Sequence, residues 1–140
     1  MAEGDAIVLN NAKEKFLLGE IDCVDDGFKV ALYDTALASP DGADIIYSVT
    51  NEIAGSGYSA GGAAVATPVV TQEDGADNAK WDDDGSDITW SSLAANTILE
   101  ARLYDDGVGD VVIILWELAT DSNGGDYTLT FGAGGIMTLG

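Results

Sequence analysis

From Asp26 to the C-terminus the chain never sustains a helical period. Its apolar and β-branched residues arrive in short runs, each stopped by Gly, Asp, Asn or Ser. Runs of this length are too short to present the buried stripe of a helix, but they suit strands, whose side chains alternate between two faces. Phe28, Val30 and Leu32 alternate with Lys29, Ala31 and Tyr33, which predicts a half-buried strand halting at Asp34. Further strands are predicted over residues 45–49, 63–71 and 79–81. In 87–91 Ile88 and Trp90 share a face, and in 97–104 Leu99, Ala101 and Leu103 do. Residues 111–118 are apolar on both faces, the signature of an internal strand in a sheet covered on two sides. Tyr127, Leu129 and Phe131 alternate inward over 126–131, and 135–139 closes the chain.

Eight or nine turn-bounded strands imply a mainly β fold, a two-sheet antiparallel sandwich with uneven connections on a jelly-roll or Greek-key-like path. The exception is one short N-terminal helix. In Asn11-Ala12-Lys13-Glu14-Lys15-Phe16-Leu17-Leu18-Gly19 the Asn and Glu suit a capping box and the Gly a C-terminal stop. A helix so short must dock through Phe16 with Leu17 or Leu18. No repeat or linker divides the chain, so residues 1–140 are read as one domain.

Charge narrows the function classes. Twenty-five Asp and Glu stand against five Lys and Arg, a formal net charge of −20. The five cations (Lys13, Lys15, Lys29, Lys80 and Arg102) cluster no further than the Lys13/Lys15 pair. Binding nucleic acid requires cations that displace phosphate counterions, so no nucleic-acid partner is expected. No apolar run approaches the length of a membrane helix, and no membrane partner is expected. Met1-Ala2-Glu3-Gly4-Asp5 lacks the basic-then-apolar order of a secretory signal, so synthesis in the cytoplasm is expected.

Cysteine and histidine counts bear on chemistry. One cysteine, Cys23, and no histidine exclude an intrachain disulfide, a Cys/His zinc site and a His-based nucleophilic pair. Cys23 is expected as a small buried hydrophobe. Asp82-Asp83-Asp84-Gly85-Ser86-Asp87 is the densest oxygen cluster, with Asp82, Asp84 and Asp87 the first candidates for a cation. It misses the calcium-loop template, because aligning Gly85 with the sixth position puts Lys80 at the first. It is expected as a solvated hairpin between Trp81 and Trp90. Asp105-Asp106-Gly107-Val108-Gly109-Asp110 suits a tight hairpin turn. Gly57-Tyr58-Ser59-Ala60-Gly61-Gly62 fails as a phosphate loop, since no Lys-Ser/Thr and no helix follow, and is expected as shaped backbone. Trp81, Trp90 and Trp116 are candidate walls of a sugar cleft, with Trp90 better placed in the core beside Ile88. No catalytic, cofactor-binding or metal residue is therefore expected, and the chain is read as a non-enzyme.

The order of segments resembles small structural proteins encoded among the head and tail genes of tailed bacteriophages. The matching pieces are the N-terminal helix; Phe28-Lys29-Val30-Ala31-Leu32-Tyr33-Asp34; Tyr47 to Asn51-Glu52-Ile53; the glycine-rich 55–62; Ile88-Thr89-Trp90; and Gly125-Asp126-Tyr127-Thr128-Leu129-Thr130-Phe131 with Gly135-Ile136. The resemblance covers nearly the whole chain. It departs at Phe131, near which such proteins often carry a Trp, and in the more extreme charge here. It implies a cement or decoration protein bound in many copies to the outer capsid surface of the virion. The implied partners are the major capsid protein and the chain itself, as a homo-oligomer with a trimer favoured. A tail or head-fibre component is the alternative within the virion, and a carbohydrate-binding β-sandwich module the alternative outside it.

Overall fold

A computed structural model describes residues 6–38, 45–85, 87–107, 109–132 and 135–139. Met1 to Asp5, Ser86 and Val108 lie outside the described residues. The fold is mainly β, with antiparallel sheets and one α-helix among the described residues. Strands β1 (Ala6–Val8), β2 (Phe28–Tyr33), β3 (Ala63–Ala64), β7 (Asn96–Asp105) and β8 (Val112–Ser122) form a five-stranded sheet in the order β1-β8-β7-β2-β3. Strands β4 (Val69–Glu73), β5 (Asn78–Asp82) and β10 (Met137–Leu139) form a second sheet, ordered β10-β5-β4. Strands β6 (Ile88–Trp90) and β9 (Tyr127–Leu129) make a third.

One core cluster draws on all three sheets. Phe28, Val30, Leu32, Ile98, Ala101, Leu103, Ile113 and Ile114 from the large sheet join Trp81 from the second and Ile88 and Trp90 from the third. A smaller cluster of Leu9, Ala31, Tyr33, Tyr104, Val112 and Leu115 covers the other face of the large sheet. Strand β2 is thus buried on both faces, not half-buried as its alternation implied. Ala31 and Tyr33 are fully inside because residues 45–53 pack over them.

Helix α1 (Asn10–Leu18) begins one residue before the expected Asn11 cap, and no side chain caps it. Its start is set by Leu9, which is fully buried and donates its N–H to Ile113 O at 2.9 Å. Its end is the expected glycine stop. Gly19 adopts φ 71° and donates to Phe16 O while Glu20 donates to Lys15 O, a Schellman pair that satisfies two orphan carbonyls. Ala12 and Phe16 dock, Phe16 edge-on to Trp81 at 6.2 Å. Leu17 and Leu18 do not: they are 90% and 63% exposed.

Four strand expectations are corrected. Residues 45–49 form no strand but a single bridge, Ile46 to Val111, with Ile46 and Val49 exposed. The run 63–71 breaks into β3 and β4 at Thr67, which takes φ 42° before Pro68. In β7 the inward residue is Ile98 and not Leu99: the pairing register shifts between Ile98 and Glu100, and the pleat of β7 changes phase at the same place. Trp81 and Trp90 do not flank a hairpin, since β5 and β6 belong to different sheets. Strand β1 was not anticipated. The two-sided burial expected of residues 111–118 is present over Val112 to Leu115. There a second shift, opposite Leu103 and Tyr104, turns both Ile113 and Ile114 to the larger core.

Candidate functional site

The densest polar arrangement is built around Glu52. Asn51 adopts φ 64°, and the chain then runs along the end of β2, with Asp34 N–H donating to Asn51 O and Ile53 N–H to Leu32 O. This aims the Glu52 carboxylate at the glycine-rich turn. It accepts from Tyr47 Oη at 2.7 Å, Tyr58 Oη at 2.6 Å and Gly61 N–H at 2.8 Å. Tyr58 Oη also accepts the Leu32 N–H, Tyr104 Oη donates to Gly61 O at 2.8 Å, and Tyr33 Oη donates to Ser48 O at 2.8 Å. Tyr47 and Tyr104 stack with centroids 4.6 Å apart.

Four of the five tyrosines thus hold residues 47–61 to the sheet. Burial pushes the Tyr33 phenol up to about 12, and it raises Tyr47, Tyr58 and Tyr104 further. For Tyr47 and Tyr58 the next cause is their bond to Glu52, which favours the neutral donor. Next to them lies a buried ion pair, Arg102 Nε donating to Glu100, with the guanidinium carbon 3.7 Å from the Tyr33 ring centroid and the Leu37 N–H donating to the same carboxylate. Chemically this is a clamp, with the Glu52 and Glu100 carboxylates engaged by donors.

The acidic candidates are dispersed. Asp82 pairs with Lys80 at 2.9 Å, which holds its carboxyl below the usual range. Asp84 is exposed at φ 55°, and Asp87 accepts from Thr130 Oγ1 at 3.1 Å. Among the described residues no group of three or more acidic or Cys side chains is placed to hold a metal. Asp83, by contrast, is buried; burial first, and then the Asp82 carboxylate, push its carboxyl up. The second acidic turn is the expected hairpin connection between β7 and β8, with Asp105 inside it accepting the Gly107 N–H. Cys23 is partly buried against the core, its thiol pushed up to about 11 by burial, then by Asp22 and Asp26.

Of the three tryptophans, Trp81 and Trp90 are inside. Trp116 tilts on Phe131 at 5.5 Å and, with Leu118, Leu129 and Thr130, lines a small surface cleft of about 160 Å³. The glycine-rich segment is shaped backbone: Gly57 and Gly62 take φ 80° and 75° against Ser91 and Val30.

Two features went unread in the sequence. Nothing in local alternation marks Glu52 as a hub, although the spacing of Tyr47, Glu52 and Tyr58 around a turn was there. Residues 53–72 also carry no charged side chain, the longest such run in the chain, and most of them are exposed. No helix is long and apolar enough to cross a membrane among the described residues. Comparison with known protein families, with curated proteins and with solved structures yields no match.

Proposed function

We propose that the chain is a structural protein of a tailed-phage virion that decorates the outer capsid surface and stabilises the head without carrying out a reaction. The observation that carries this reading is the use of two carboxylates, the half-buried Glu52 and the buried Glu100. The Glu52 carboxylate is filled by two phenols and an N–H, and Glu100 by Arg102 and Leu37, so both acids fasten loops to a sheet. A body with its loops fastened in this way, presented in many copies by a homo-oligomer, bridges neighbouring capsid proteins and stabilises whatever shell state it binds. Its acidity suits an outer face, away from packaged DNA. The proposed architecture is the two-sheet sandwich, the smaller sheets together making the second layer, and the shared core cluster supports it.

A second reading follows from the Trp116–Phe131 cleft, an aromatic surface of the kind that carbohydrate-binding modules use. The deciding experiment mixes the purified chain with expanded capsids of the phage that encodes it, images them, and heats particles with and without it. Density at symmetric shell sites and a higher rupture temperature are expected. Density confined to the tail transfers the chain to the tail or head-fibre class. Glycan binding without virion density gives the case to the aromatic cleft.

A further inference from the structure

We infer that the free edge of β4 is a self-association site at which two copies of this chain pair antiparallel into one continuous sheet. Strand β4 borders only β5 and is the longest edge strand among the described residues. Edge strands expose unpaired N–H and C=O groups, and proteins ordinarily block them with charge, Pro or a bulge. Here the strand reads Val69-Val70-Thr71-Gln72-Glu73, uncharged until its last residue, and it ends the charge-free run 53–72. In a chain of net charge −20 this stretch brings no charge of its own to a second copy before Glu73. Val70 lies on the core-facing side of the sheet, opposite Trp81, yet it is 52% exposed, so the edge leaves apolar surface for a neighbour to cover.

The sequence of the strand fits itself. Antiparallel pairing centred on Thr71 puts Thr71 opposite Thr71, Val70 opposite Gln72 and Val69 opposite Glu73. That register engages all five residues. It also sends the two Glu73 side chains to opposite ends of the ladder, roughly 13 Å apart at strand spacing, beyond the screening length of physiological salt. Facing threonines are a favourable cross-strand pair. An antiparallel edge pair closes about a two-fold axis, so a dimer is expected in solution in place of the trimer that the phage resemblance implies. The pairing does not depend on capsid binding, and a dimer that ignores capsids leaves it standing.

Sedimentation equilibrium of the full chain over a concentration series tests it. A monomer–dimer equilibrium is expected, tighter as salt rises, because salt screens the repulsion between two acidic bodies. Thr71→Glu places two carboxylates face to face and is expected to weaken the dimer about ten-fold or more, while circular dichroism of the dilute, monomeric chain stays unchanged because Thr71 is exposed. In a Cys23→Ser background, Thr71→Cys is expected to give a covalent dimer on oxidation and Val69→Cys is not. A monomer at every concentration, a trimer, a dimer indifferent to Thr71→Glu, or equal cross-linking at both positions would each overturn the inference.

Discussion

Tyr58 Oη stands 2.6 Å from a Glu52 carboxylate oxygen and donates to it while accepting the Leu32 N–H at 3.0 Å. One phenol therefore joins the glycine-rich turn, the 51–53 crossing and strand β2. Its ring stacks on Trp90 at 6.4 Å, which ties the same residue to the small sheet. Loop placement in this protein rests in part on a few buried and half-buried tyrosine hydroxyls.

Tyr58→Phe keeps the ring and removes only the hydroxyl, leaving the Leu32 N–H without its acceptor and Glu52 short of a donor. Hydrogen bonds to charged groups contribute roughly 1.5–3 kcal/mol, so a loss of about 2 kcal/mol is expected in urea unfolding. An unchanged midpoint would show that water replaces the hydroxyl at no cost.

Alkaline pH attacks the same cluster. The Tyr33 phenol is raised from an unfolded value of about 10 to about 12, and Tyr47, Tyr58 and Tyr104 are raised as well. A raised acid favours the neutral form in the folded state, so this contribution is fully present below pH about 10 and disappears as pH rises through the folded values. Melting temperature should be flat on this account at neutral pH and fall steeply above about 10, with tyrosinate absorbance appearing together with unfolding. Titration of all the tyrosines near 10 in a still-folded protein would contradict it.

The strands with regular alternation were legible from sequence: Phe28–Tyr33, Ile88–Trp90 and the two-sided apolar run that became the start of β8. What escaped was whatever depends on partners distant in sequence. Local alternation points to Leu99, but β7 changes phase where its register with β8 shifts between Ile98 and Glu100, and Ile98 faces the core. Residues 45–49 have strand composition, yet Tyr47 is drawn to Glu52 and Tyr104, and only Ile46 bridges the sheet. The acidic turn after Trp81 suited a hairpin, and nothing local showed that the chain there changes sheets. Glu52, one acid among twenty-five, becomes distinctive only once three donors converge on it.

Asp83 supplies a stabilising substitution. It is 2% exposed, its Oδ1 accepts the Gly85 N–H, and its Oδ2 has no hydrogen-bond partner among the described residues. Its carboxyl is raised, so the favourable protonated state is complete only below the unfolded value near 3.9 and is lost as pH rises through the folded one. At neutral pH the ionised group is therefore a burden. Asp83→Asn keeps the acceptor for Gly85 and removes the charge beside Asp82, and it should raise stability at pH 7 by about 1 kcal/mol. The gain should shrink in acid. A loss of stability at pH 7 would mean that a cation or a cationic group serves Asp83.

Gly62 and Gly85 separate backbone strain from steric exclusion. Both adopt left-handed conformations, φ 75° and 78°. An alanine Cβ at Gly85 meets nothing within 4 Å, so Gly85→Ala carries only the left-handed penalty of about 1 kcal/mol. At Gly62 the same atom would lie 1.8 Å from the Val30 carbonyl oxygen and 2.7 Å from Ala31 Cα, both backbone atoms of a strand buried on its two faces. Neither can yield without moving β2 out of register with β7 or lifting β3 away, and Gly61 next to it holds both the Glu52 carboxylate and Tyr104 Oη. Gly62→Ala should therefore cost more than about 4 kcal/mol, in the range reserved for forced backbone clashes, and leave little folded protein at 37 °C. The paired measurement is urea unfolding of the two variants side by side. Equal and small losses would show that the turn at 61–62 slides freely over β2, and would remove the basis for treating the glycine-rich segment as shaped backbone.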